Sequence, residues 1–101
     1  MNNLRKLQLW YSKQCDGSWE HHYGVSIDTL DNPGWTVVVD LTGTDLQSMR
    51  MESITEEKNE QDWLHCKIED GKFVGNGGPL NLDAILGSFV ALISCKPDLE
   101  D

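Results

Sequence analysis

Residues 23–41 read YGVSIDTLDNPGWTVVVDL, and the fold turns on that stretch. Tyr23, Val25 and Ile27 alternate with Ser26 and Asp28, the period-two pattern of a strand packed on one face only. After Leu30, Asn32-Pro33-Gly34 is a turn signal, because Pro33 presets φ and Gly34 tolerates a positive φ. Alternation then resumes, with Trp35, Val37, Val39 and Leu41 inward and Thr36, Val38 and Asp40 outward. Two alternating runs across a short turn predict an antiparallel hairpin.

The hairpin is flanked by helical and further strand patterns. On its N-terminal side, Leu4, Leu7 and Tyr11 recur at helical spacing with Arg5, Lys6, Gln8 and Lys13 between them, predicting an amphipathic helix from about Asn3 to Gln14. Cys15-Asp16-Gly17-Ser18 ends it. On the C-terminal side, Gly43-Thr44-Asp45 marks a turn. Gln47 to Ile54 reads as a third strand with Met49 and Met51 inward, and Thr55 to Gln61 as a solvated, charged connection. Asp62 to Glu69 forms a fourth strand, with Leu64, Cys66 and Ile68 inward and Trp63, His65 and Lys67 outward. Asp70-Gly71 is a two-residue hairpin signal before a brief fifth strand, Lys72 to Val74. Gly75-Asn76-Gly77-Gly78-Pro79 breaks the sheet. The period then changes: Leu82, Ile85, Leu86, Phe89, Val90 and Ile93 fall at helical spacing behind Asn81 as N-cap. The expected fold is α+β: an antiparallel meander of four to five strands, with an N-terminal helix and a C-terminal helix packed on one face. Residues 1–101 read as one domain, with 96–101 a frayed tail.

Charge narrows the function. Acids outnumber bases 17 to 8 in 101 residues, a net charge of −9. A basic stripe for nucleic acid is missing, and an anionic membrane surface would repel such a chain. No apolar run approaches the roughly 20 residues that span a bilayer, and the N-terminus lacks a secretory signal pattern, so the expected location is the cytoplasm. Cys15, Cys66 and Cys95 form no CxxC pair and read as free thiols, Cys66 and Cys95 as small core hydrophobes.

Acids concentrate between Glu52 and Asp62, where Glu52, Glu56, Glu57, Glu60 and Asp62 face a lone Lys58. They form either a solvated loop or a surface that steers a basic partner. Strand parity puts Glu20, His22, Asp28, Asp40, Glu52 and His65 on the outer face, with Arg50 and Lys67 there as candidate internal counter-ions. Trp35 reads as core. Trp63 has outward parity, as for an interface anchor, and Trp19 is open to either role. A thiol–imidazole pair of Cys15 with His21 or His22 would define a small enzyme acting on a nucleotide or sulfur substrate. Cys15 follows a helix C-terminus, where the dipole disfavours a thiolate. A metal site from His21, His22 and His65 is hindered because adjacent histidines on a strand point to opposite faces. Gly75 to Gly78 has no Lys, Ser or Thr at phosphate-loop positions. No cofactor or metal is expected.

The residues Leu9-Trp10-Tyr11, Cys15-Asp16-Gly17-Ser18-Trp19-Glu20-His21, Tyr23-Gly24-Val25, Thr29-Leu30-Asp31-Asn32-Pro33-Gly34-Trp35 and Asp40-Leu41 together resemble the immunity protein 53 family. Trp19-Glu20 and the Asn32-to-Trp35 turn are the strongest matches. The resemblance implies a small bacterial protein, encoded beside a polymorphic toxin, that neutralises the cognate toxin. With the charge, it implies a partner protein with a basic active site. The expected contact residues are Trp19, Glu20, Asp28, Asp40, Glu52, Glu56, Glu57 and Trp63.

Overall fold

The structure is a computed structural model that describes residues 2–95. The predicted tail, 96–101, lies outside the described residues. Helix α1 spans Asn3–Gln14, capped by Asn2, whose side chain accepts the Arg5 N–H at 2.8 Å. A four-residue helix, α2 (Trp19–His22), follows. Five strands come next: β1 (Val25–Leu30), β2 (Gly34–Asp40), β3 (Ile54–Asn59), β4 (Asp62–Glu69) and β5 (Lys72–Gly77). Helix α3 (Leu82–Ser94) ends the fold. The α+β class, the antiparallel sheet and the two terminal helices are as the sequence predicts.

All five strands pair antiparallel in the order β1-β2-β5-β4-β3. The β1–β2 hairpin and the β3–β4–β5 run are therefore two blocks, joined where β5 lies beside β2. Asp70 and Gly71 both take positive φ (53° and 75°), as the tight turn between β4 and β5 requires.

Four local expectations are corrected. Residues 47–53 are not a strand: successive turns (Gln47 N–H to Thr44 C=O, 3.2 Å; Met49 N–H to Leu46 C=O, 3.0 Å) carry this segment across the molecule and bury Leu46. Met49 and Met51 pack on the core from that loop, so their alternation reflects burial without strand pairing. The third strand is instead Ile54–Asn59, inside the stretch read as a charged connection. It is one of the sheet's two edge strands, exposed along most of its length, so it needs no apolar alternation. His21 and His22 sit on α2, not on a strand. Finally, β5 runs on through Gly75 and Gly77, where the glycine run was read as a break.

The core explains those glycines. Val37, Val39, Leu64, Cys66 and Phe73 point to one side of the sheet and meet Ile85, Leu86, Phe89 and Leu92 of α3, with Leu7 and Trp10 of α1 closing the layer. Leu92, rather than the predicted Ile93, is fully packed. A Cβ on Gly75 would collide with Ile85 Cγ2, and one on Gly34 with the Gly77 carbonyl oxygen. Gly34 is thus required by close approach of β5, and its φ is not positive. Edge-to-face rings continue the core: Trp10–Phe89 at 5.0 Å and Phe73–Phe89 at 5.3 Å between centroids.

Candidate functional site

Register decides which side chains share the face opposite the helices. Thr36 lies between Asp28 and Asn76, Asn76 lies beside His65, and His65 lies beside Thr55. Asp40 lies across from Lys72, which lies across from Glu69. Glu57 lies across from Trp63. Side chains alternate along each strand, so Asp28, Asp40, Glu57, Trp63, His65 and Lys67 all project from the surface opposite the one on which α3 packs among the described residues.

At the end of this surface the β1–β2 turn and the β3–β4 hairpin enclose an open hollow of about 830 Å³. Asn32 and Pro33 form one wall. Glu57, Lys58, Glu60, Trp63 and His65 form the other side. Trp63 is half-buried there, and its backbone is fixed by pairing with Glu57 and by the Gly78 N–H donated to its carbonyl at 3.1 Å. Its ring meets the His65 imidazole at 5.3 Å, and His65 Nε2 lies 2.7 Å from Glu57 Oε2. That pair is solvent-exposed and contributes little to stability. It does order a carboxylate, an imidazole and an indole side by side. The β3–β4 register shifts between Glu57 and Asn59, both of which line the hollow.

The expected contact residues divide on geometry. Asp28, Asp40, Glu57 and Trp63 share the uncovered face. Glu56 is exposed on β3 but pairs with Leu64, on the helix side, and Glu52 is exposed in the preceding loop. Two of the expected residues are held by local contacts. Trp19 is 6% exposed, its Nε1 donates to the Thr42 carbonyl at 2.8 Å, and its ring packs against Trp10, Tyr11 and Tyr23, so it packs as core. Glu20 is committed locally: its carboxylate accepts the N–H groups of Asp16 and Gly17, both at 2.9 Å. Its carboxyl is held below the usual 4.5, first by its own backbone amide, with burial opposing and the Asp16 and Gly17 amides and His21 adding. Asp16 makes the reciprocal bonds. Its Oδ1 accepts from Trp19 and Ser18, which lower its carboxyl below 3.8. Lys67 pairs with Glu69 at 2.9 Å, a carboxylate outside the set it was expected to neutralise.

Cys15 Sγ lies 3.4 Å from the Tyr11 carbonyl, beyond the C-terminus of α1, and His22 Nδ1 contacts the Ser18 carbonyl at 3.0 Å. Among the described residues no group of three or more His, Cys, Asp or Glu is placed to hold a metal ion. Cys66 is buried, and burial pushes its thiol up; Cys95 is exposed, contrary to its expected core position. No helix among the described residues is long and apolar enough to cross a membrane.

Asn32, Pro33 and Glu60 join the hollow without any local sequence signal, because only the strand order brings the two hairpin ends together.

The sheet is backed by helices on one side and open on the other, with a half-buried tryptophan in a hollow lined by acids. The chain belongs to the immunity protein 53 family, whose family model matches residues 4–94. No curated protein and no solved structure matches it. Family membership points to toxin neutralisation as the class of function and to a toxin as the partner.

Proposed function

We propose that this protein neutralises a cognate toxin by direct contact, without catalysis, in the cytoplasm. The toxin's basic active site docks on the uncovered sheet face and the Trp63 hollow. Trp63 carries the reading: an indole on a rigid strand, flanked by Glu57 and Glu60 in a hollow wide enough for a protruding side chain. A half-buried aromatic with few rotatable bonds is the kind of group that supplies most of an interface's affinity. The surrounding acids, Asp28, Asp40, Glu52, Glu56 and Glu57, add long-range attraction for a cationic partner. The net charge of −9 extends that field.

The test is association kinetics with the co-encoded toxin. Trp63→Ala is expected to speed dissociation, at a cost of about 2 kcal/mol or more. Reversing Glu57 and Glu60 to Lys is expected to slow association and flatten its salt dependence. If the association rate ignores both the reversals and the salt, and Trp63→Ala dissociates like the parent, the reading fails.

A further inference from the structure

We propose that the hollow beside Trp63 receives a single arginine side chain of the partner, its guanidinium stacked on the indole and paired with Glu57 and Glu60. This names the group that enters the hollow and rests on the docking proposed above. Three features converge on it: walls tied to the core, an indole N–H that is not donated, and carboxylates without a lysine or arginine of their own.

The two walls come from distant parts of the chain, yet one segment, residues 77–81, ties both. On the β1–β2 side, Gly34 lies against the Gly77 carbonyl, and the Trp35 indole N–H donates to the Pro79 carbonyl at 3.0 Å. On the β3–β4 side, the Gly78 N–H donates to the Trp63 carbonyl at 3.1 Å, and Asn81 Nδ2 donates to Asp62 Oδ1 at 3.1 Å. Asn81 is also the N-cap position of α3, so both walls are joined to the packed core. An occupant therefore does not have to order them first, which lowers the cost of binding.

The four indoles differ in one respect. Trp10 donates its ring N–H to Asp45, Trp19 to the Thr42 carbonyl and Trp35 to the Pro79 carbonyl. The Trp63 N–H has no protein acceptor among the described residues, although its ring is half-buried. A tryptophan with an apolar body against the protein and an unused donor is suited to an interface. The occupant must bring an acceptor as well as a cation, and a main-chain carbonyl beside the arginine supplies one.

The charge around that indole calls for a cation. Glu57 is engaged through Oε2 by the His65 imidazole, which leaves Oε1 without a partner among the described residues. Glu60 forms no ion pair among the described residues, and Lys58, on the same rim, pairs with neither glutamate. A planar guanidinium can lie on an aromatic face and still direct N–H groups sideways at carboxylates. An ammonium is a compact, strongly hydrated point charge that cannot do both as well. The combination of indole and two glutamates therefore selects arginine over lysine.

The experiment is an NMR titration of the full chain that reads the four indole N–H signals, with Trp63→Phe assigning the one in the hollow. The probe is Nα-acetyl-arginine methylamide, compared with the lysine and citrulline equivalents. The arginine probe is expected to move the Trp63 signal and leave those of Trp10, Trp19 and Trp35 in place. It should bind about fivefold more tightly than the lysine probe, and the uncharged citrulline probe should move nothing. Replacing Glu57→Gln and Glu60→Gln together should weaken the arginine probe at least about fivefold. Both positions are exposed, so circular dichroism should remain that of the parent. A Trp63 signal that ignores the arginine probe overturns the proposal, as does one that responds equally to all three probes or equally in the double variant. If Trp63→Ala loosens the toxin while the arginine probe leaves the indole untouched, the docking stands and the arginine falls. If the arginine probe binds but the toxin ignores Trp63→Ala, the docking falls and takes the partner's arginine with it.

Discussion

Gly75→Ala tests how tightly α3 is seated on the sheet. The added methyl would stand well inside van der Waals distance of Ile85 Cγ2, and 3.2 Å and 3.3 Å from Phe73 Cε2 and Cys66 Sγ. Ile85 and Phe73 are fully buried and Cys66 is 1% exposed, so the methyl has no solvent-facing way out. Overpacking of this kind costs about 1–3 kcal/mol. For a domain of this size that lowers the melting temperature by roughly 5–20 °C. Ile85→Ala alone leaves a cavity and costs about 2–5 kcal/mol. In the double variant the alanine methyl enters the space that Ile85 vacated, so the two costs should fall short of their sum by about 1–3 kcal/mol. The assay is urea unfolding of the four proteins, followed by circular dichroism and thiol accessibility. A Gly75→Ala protein within 0.5 kcal/mol of the parent, or costs that simply add, would refute the seating of Ile85 over Gly75.

Trp19→Ala should destabilise the fold by about 3–5 kcal/mol, yet leave toxin affinity unchanged per folded molecule, measured by titration at a temperature where the variant stays folded. Asp16 and Glu20 are held below 3.8 and 4.5 by backbone N–H groups, so the unfolded chain takes up their protons first. Their stabilisation is complete above pH 4.5 and is lost as pH falls through their lower folded values. Replacing Asp16 by Asn should therefore flatten the acid limb of a melting-temperature profile. With a thiol reagent at pH 8, Cys95 should react at once and Cys66 only on unfolding, because burial raises the Cys66 thiol and shields it. Equal rates at both would contradict that placement.

What the sequence disclosed depended on how strongly each segment is buried on one side. The α3 stripe Ile85, Leu86, Phe89 and Val90 and the β2 stripe Val37 and Val39 are interior on one face, so their periods of 3.6 and 2 survive in the residue order. Strand β3 has no such stripe, since Thr55 to Asn59 are wet on both faces, and its pairing with β4 is invisible locally. Met49 and Met51 mimic a strand because a loop crossing the core also buries alternate side chains. For the site, parity placed Asp28, Asp40, Trp63 and His65 on one face. It misplaced Glu20, because α2 interrupts the run into β1. Trp19 was undecidable from spacing, since the Thr42 carbonyl that takes its indole N–H comes from a distant loop.

With every long helix behind the sheet, the front wall bears almost none of the weight. Replacing the exposed Asp28 or Glu57 removes no interior packing and is expected to shift folding by less than about 0.5 kcal/mol. On the docking proposed above, such a wall can be rewritten letter by letter to follow a changing toxin while the scaffold behind it stands. A new lock can be cut into the same door.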